Sequence, residues 1–224
     1  MQYQLNISID NTGLNHIYAA GQAITIVKSV VSNPVSSGNL PIAWISFLPL
    51  EANSVTWIEN YNIYATTTQL NAGATIVQTS VTGAPVQTGW TYTFAQGQFA
   101  GAQGGSALTY NMNNQQGGMY SFGLSQQAVV NNVTVMAPLN AIPVLTNEMA
   151  TFTPQETVSV FLSNSVNNGV VLSQVASNAL SVTLSSQNPS ANIGFNDSNN
   201  TFYLTQAAQV SPDSFARRLR SSQT

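Results

Sequence analysis

The sequence predicts an all-β protein, an antiparallel β-sandwich. Short runs of alternating apolar and polar residues recur along the chain, and Gly, Pro and Asn separate them at intervals of roughly 8–12 residues. No internal segment keeps a helical period. The 224 residues are enough to bury a core without disulfides. We expect one sandwich or two packed halves, with residues 1–138 as the first half, 139–209 as the second, and 210–224 as a basic tail.

The N-terminal stretch QYQLNISIDNTG shows the alternation clearly. Tyr3, Leu5, Ile7 and Ile9 predict a buried strand face, and the residues between them are amides and serine. The dipeptides Asp-Asn and Thr-Gly predict a turn, which includes His16. A solvated strand face without Lys, Arg or Glu indicates that something other than bulk water covers part of it.

The remaining strands follow from the same pattern. The segment 42–50 is apolar on both faces, which predicts a central buried strand. The Gly-rich segment 97–118 is interpreted as a flexible loop or as a hairpin that rearranges. Strands are predicted at 23–31, 42–50, 54–70, 74–81, 89–97, 119–124, 131–138, 156–164, 169–175, 178–186, 192–195 and 200–210.

The C-terminal tail differs from the rest of the chain. Ser211, Pro212 and Asp213 favour a helix start, and Arg217, Arg218 and Arg220 follow. We predict one or two helical turns that mediate contacts, or alternatively a disordered basic terminus.

Charge is scarce, which excludes several classes of function. Only 5% of residues are charged, against about 25% in an average protein. Lys28 is the single basic residue before Arg217, so nucleic-acid binding is not expected. With no cysteine and one histidine, His16, we predict no metal site and no cofactor. We see neither a secretory signal nor a transmembrane run, and expect cytoplasmic synthesis with non-classical release or intracellular assembly.

Two carboxylates and a set of aromatic residues are the candidate functional groups. Glu51 and Glu59, flanked by Trp44, Trp57 and Tyr61, could serve glycoside hydrolysis if they lay on neighbouring strands. The simpler interpretation is that Glu51 is a loop charge and Glu59 a strand-face residue. Ser–His–Asp catalysis would need His16, and no G-x-S-x-G nucleophile motif is present, so we predict no catalytic residue.

The aromatic residues instead indicate a recognition surface for a sugar or a membrane interface. Val55 and Ile63 predict that Trp57 and Tyr61 face the core, with Tyr64 on the opposite side of the strand. At least one of these tyrosines is therefore expected at the surface. The predicted binding residues are Trp57, Tyr61, Tyr64, Trp90 and Tyr92.

These observations predict a non-catalytic recognition protein of defence type, a lectin or pore-forming toxin. It would bind a glycan or lipid cell surface and form homo-oligomers. The alternative is a self-assembling inclusion, fibre or shell subunit, because uncharged strand edges pair readily with other chains. A glycoside hydrolase ranks third.

Overall fold

The computed structural model describes residues 1–34, 40–164 and 167–205, so the predicted tail at 210–224 lies outside the described residues. These residues form two mixed β-sheets that pack face to face, which confirms the all-β sandwich. In chain order the elements are β1 (Gln2–Ser8), α1 (Asn11–Ala19), β2 (Gln22–Asn33), β3 (Ile45–Phe47), β4 (Ala52–Thr66), β5 (Ser80–Val81), β6 (Trp90–Ala95), β7 (Gln98–Gln103), β8 (Tyr110–Asn114), β9 (Ser121–Val130), β10 (Val133–Pro138), β11 (Ile142–Pro143), β12 (Met149–Asn164), β13 (Leu180–Thr183), β14 (Ser190–Asn196) and β15 (Thr201–Leu204).

The first sheet has the order β10-β9-β4-β1-β14-β15, with β11 beside β9 and β5 beside β4. The second has the order β3-β2-β12-β8-β6-β7, with β13 beside β12. Most pairs are antiparallel, but β1 with β14 and β6 with β8 are parallel. Strands from 1–138 and from 139–205 therefore pair with one another inside both sheets, as β1 does with β14 and β2 with β12.

The predicted first strand is confirmed as β1, but the turn predicted after it is wrong. Asp10 caps helix α1 by accepting a hydrogen bond from the Gly13 backbone N–H at 2.8 Å, and exposed His16 lies in that helix. Gly13 is required for packing, because a Cβ there would lie 2.8 Å from the Phe195 ring. A nine-residue helix is too short to give a periodic signal.

The prediction of a central strand at 42–50 is also wrong. Only Ile45–Phe47 form a strand, β3, at the edge of the second sheet. Its apolar pattern has a different cause. The chain before β3 is buried by pairing with residues 169–172, and the Ala43 N–H donates to the Val170 carbonyl at 2.9 Å.

The Gly-rich segment 97–118 contributes two ordered strands, β7 and β8, and connecting turns. The hairpin from β6 to β7 turns at Gln96 and Gly97, both with positive φ, as a tight two-residue hairpin turn requires. By contrast, the strands predicted at 74–81 and 169–175 shorten to β5 and to isolated bridges.

Candidate functional site

A group of polar and aromatic side chains lies between the two sheets, inside the hydrophobic core. The second sheet contributes a lysine and a carboxylate, and the first sheet and the segment before β3 contribute the residues around them. We call this group the inter-sheet cluster; it consists of Lys28 on β2, Glu156 on β12, Trp57 and Tyr61 on β4, Gln126 on β9, and Trp44.

The Lys28 ammonium makes hydrogen bonds with all of its polar neighbours in the cluster. Its Nζ lies 2.8 Å from each Glu156 carboxylate oxygen, 3.0 Å from Gln126 Oε1 and 3.2 Å from Tyr61 Oη. It also lies 5.3–5.6 Å from the ring centroids of Trp44, Trp57 and Tyr61. Three aromatic faces and four oxygen acceptors thus replace water around this cation.

The Glu156 carboxylate is similarly saturated. Besides the lysine, it accepts hydrogen bonds from Trp57 Nε1 at 2.8 Å and from the Tyr61 hydroxyl at 2.9 Å. Gln126 in turn donates through Nε2 to the Ile58 carbonyl at 2.6 Å. A fully paired network of this kind is tolerated in a core, whereas a partly paired one is costly.

Burial is the largest cause of the pKa shifts in and beside the inter-sheet cluster. It lowers the pKa of Lys28 to about 8, although the Glu156 charge acts in the opposite direction. Burial and the Glu156 charge both raise the pKa of Tyr61 well above its ordinary value. Burial also raises the pKa of Tyr3, with a further contribution from Glu59, which accepts a hydrogen bond from the Tyr3 hydroxyl.

A bulge in β4 decides where Glu59 points. Strict alternation would place Glu59 on the same face as Trp57 and Tyr61, but the pairing of β4 with β9 shifts register between these two aromatic residues. Residues 58–60 are consequently all exposed, whereas Trp57 and Tyr61 are only 3% and 2% exposed. The prediction that Trp57 and Tyr61 face the core is confirmed, whereas Glu59 leaves the strand face on which strict alternation would place it.

The proposed carboxylate pair of Glu51 and Glu59 is not present. Glu51 immediately precedes β4, and Glu59 lies within the same strand, so the two are separated along one strand by roughly 25 Å. Glycosidase carboxylates lie within about 10 Å of each other. These two residues cannot act on one bond.

Tyr64 is the one predicted binding residue that the fold removes from this region. It is fully buried in a second, smaller core cluster, and its hydroxyl donates to the Asn140 carbonyl at 2.6 Å. The expectation that it is displayed at the surface is wrong, because residues 139–141 cover that face of β4. Burial strongly raises its pKa.

Trp90 and Tyr92 remain half-buried on β6, with Tyr110 beside them on β8. The Trp90 and Tyr92 rings are stacked, with centroids 6.5 Å apart. Thr91 pairs with Asn111, so Trp90 lies next to Tyr110, whose ring centroid is 5.3 Å from that of Tyr61. We call Tyr110, Trp90 and Tyr92 the aromatic row; it continues the inter-sheet cluster towards solvent.

The carboxylates of Glu59, on the first sheet, and Glu156, in the inter-sheet cluster, affect the pKa of a tyrosine in the aromatic row. Burial, followed by the negative charges of Glu59 and Glu156, raises the pKa of Tyr110. The Tyr92 hydroxyl is held in place by the Gln87 backbone N–H, at 2.9 Å. The row therefore combines stacked rings, one hydroxyl fixed by a hydrogen bond and nearby negative charge.

The sequence contained one signal for the inter-sheet cluster that the interpretation missed. Lys28 is the only basic residue before the tail, and it interrupts the apolar strand AITIVKSVV, where a charge must find a partner. Glu156 gave no comparable signal, because it stands at the start of a predicted strand. Within the described residues, no group of three His, Cys, Asp or Glu side chains could hold a metal ion.

The comparisons with known proteins do not identify a relative. No family model, no curated protein and no solved structure matches this chain. Among the described residues, no helix has the length and apolar character needed to cross a membrane.

Proposed function

We propose that this chain is a non-catalytic recognition protein of the lectin type, which binds a cell-surface glycan through the aromatic row and acts as an oligomer. The observation that carries the proposal is the stacked, half-buried pair Trp90 and Tyr92. Aromatic rings that keep part of a face accessible can stack against the apolar face of a sugar ring.

The neighbours of the row support a polar, neutral ligand. The exposed Glu59 and the Tyr110 hydroxyl can hydrogen-bond to sugar hydroxyls, and no basic residue from 1–209 other than the buried Lys28 could attract a phosphate. The row is also fixed before binding, since Tyr61 packs against Tyr110 and the Gln87 N–H holds Tyr92. Such preorganisation reduces the entropy lost on binding.

A glycan array followed by calorimetry tests this proposal. We expect wild-type protein to bind a neutral glycan, and Trp90→Ala to weaken the best hit about tenfold or more. Tyr203→Ala is the matched control, because Tyr203 is 48% exposed on β15 of the other sheet. Absence of any hit, or equal weakening by both variants with unchanged thermal unfolding, would contradict the proposal.

A second candidate function, the subunit of a self-assembling structure, is favoured by strand β7. It lies at the end of its sheet, has the uncharged sequence QFAGAQ, and is exposed over most of its length. Such an edge lacks the lysines, prolines and bulges that normally prevent pairing with another chain. Ordered particles in buffer alone, seen by negative-stain microscopy, would support this function over the first.

A further inference from the structure

Three exposed apolar side chains lie on separate loops at one end of the sandwich, where β4 ends and β9 begins. Val77, Met119 and Leu145 are exposed to 63%, 93% and 68%. Loops 66–71, 118–121 and 143–145 enclose a cleft of about 510 Å³, lined in part by Met119 and Leu145. Val77 adjoins it, since its backbone N–H donates to Thr68 Oγ1 at 3.1 Å. We call these three side chains and the cleft the apolar loop end.

Hydrogen bonds hold the backbone of the loops that carry these apolar side chains. Val144 N–H donates to the Tyr120 carbonyl at 3.2 Å, and the Asn114 amide donates to the Val144 carbonyl at 2.9 Å. The Thr68 N–H donates to Thr66 Oγ1 at 3.0 Å. Met119 follows Gly117 and Gly118, and it projects from this framework with almost no protein contact.

The apolar loop end is uncharged. The cleft lining combines apolar side chains with hydroxyl and amide groups, namely those of Thr66, Thr67, Thr68, Gln69, Asn71, Tyr120 and Ser121, and includes no charged residue. No Lys, Arg, Asp or Glu occurs anywhere between Glu59 and Glu148. The nearest charge along the chain is Glu148, whose carboxylate accepts a hydrogen bond from the Leu145 N–H at 3.1 Å. Within the described residues this end therefore presents no positive charge to an anionic group, and Glu148 would repel an anionic surface.

The small number of these side chains favours a bilayer over a protein partner. A stable protein interface uses about 20–30 residues on each side, whereas here three loop side chains project. Interfacial membrane binding buries apolar surface only about 5–10 Å deep and strengthens with the apolar area buried, a depth that projecting loop side chains can reach. We infer that the apolar loop end docks on the surface of a neutral lipid bilayer, with the threonine hydroxyls of the cleft facing the headgroups.

The absence of cysteine from the sequence allows a direct test. Single variants Met119→Cys and Leu145→Cys carry an environment-sensitive NBD label, and Leu108→Cys is the matched control. Leu108 is 84% exposed and precedes β8, so it lies at the opposite end of that strand from Met119. With phosphatidylcholine vesicles free of glycolipid, we expect a blue-shifted, brighter emission at 119 and 145 and no change at 108.

Unlabelled variants measure how strongly the protein partitions into the vesicles. We expect Met119→Asp to lower partitioning into these vesicles about tenfold, and Leu108→Asp to leave it unchanged. No label response at 119 and 145, or an equal response at 108, would overturn the inference. A different result would also overturn it. If the wild type does not bind vesicles, and light scattering shows that it is a dimer which Met119→Asp converts to a monomer, then a second copy of the chain covers this end. Because the vesicles carry no sugar, failure here is distinct from failure of glycan binding.

Discussion

Lys28 and Glu156 are diagonal neighbours across the pair β2 and β12. Lys28 pairs with Val158, and Glu156 lies two residues before Val158, where the pairing of β12 with β2 shifts register; its carboxylate lies 2.8 Å from the ammonium. The lysine side chain is completely buried and the glutamate side chain retains 14% exposure. The cation is therefore the partner that depends on the pair for its solvation.

Removal of one partner should be costly. We expect Glu156→Gln to lower the free energy of unfolding by about 3–5 kcal/mol, because Lys28 would remain buried without a counter-charge. Urea denaturation monitored by tryptophan fluorescence measures this change. Glu51→Gln is the matched control, since Glu51 is exposed and uses only its backbone carbonyl; a loss as large as that of Glu156→Gln would contradict the assignment.

Removal of both partners should cost less than the sum of the single changes. In Lys28→Met with Glu156→Gln, neither buried charge is left unpaired, and apolar replacements of buried pairs are often close to neutral. A double-mutant cycle built from the same denaturation data gives the coupling free energy. Simple additivity of the two single effects would show that the ion pair is not the interaction being measured.

Stability should depend on pH through the same lysine. The pKa of Lys28 falls from 10.5 in the unfolded chain to about 8 in the fold, so between these values the unfolded state binds more protons. The free energy of unfolding should therefore rise with pH from about 8.

Above about pH 10 the buried tyrosines should reverse this trend, since their raised pKa values mean that the unfolded state ionises first. Urea denaturation at several pH values between 7 and 11 tests both the rise and the fall of the free energy of unfolding. Lys28→Met should lack the rise above pH 8 and keep the fall above pH 10. A wild-type stability that is flat or falling between pH 8 and 9.5 would disprove the prediction.

Gly123 should not tolerate a side chain. A Cβ there would lie 1.8 Å from the Asn140 carbonyl oxygen, which also accepts the Tyr64 hydroxyl, so the backbone at 139–141 would have to move. We expect Gly123→Ala to cost about 3 kcal/mol or more. Gly83→Ala is the matched control, because its Cβ would meet nothing within 4 Å. Thermal unfolding that shifts equally in both variants would contradict this packing.

Strand β7 provides the test of self-association. Ala100 pairs with Thr93, and its side chain points away from the core. Ala100→Lys places a charge on the exposed edge, and we expect it to prevent any assembly that light scattering detects in the wild type. Gln187→Lys introduces the same charge in an exposed loop and should have no effect. Assembly that survives Ala100→Lys would exclude β7 as the contact.

The sequence predicted those features that depend on local alternation. β1 and the burial of Trp57 and Tyr61 follow from a period of two, and the structure confirms them. Features created by contacts distant in sequence could not be predicted in this way. The burial of Tyr64 depends on residues 139–141, and the short β3 depends on residues 169–172.

The candidate site was predicted in part for the same reason. Trp90 and Tyr92 were predicted as binding residues from one segment of sequence, whereas their neighbour Tyr110 is brought beside them by the parallel pairing of β6 and β8. The inter-sheet cluster joins strands 128 residues apart in sequence, as Lys28 and Glu156 are. No local pattern records such a pairing.

The Lys28 and Glu156 pair has a consequence for the uniqueness of the fold. Strands rich in Val, Thr, Ser and Asn resemble one another, so several alignments of β2 against β12 would bury similar apolar surface. Only one alignment gives the ammonium its carboxylate, and a slip of one residue would leave a bare charge in the core. We expect the pair to disfavour all other registers of β2 against β12, at some cost to the stability of the native state. In a chain with so few charges, one lysine then determines which of many similar sandwiches is formed.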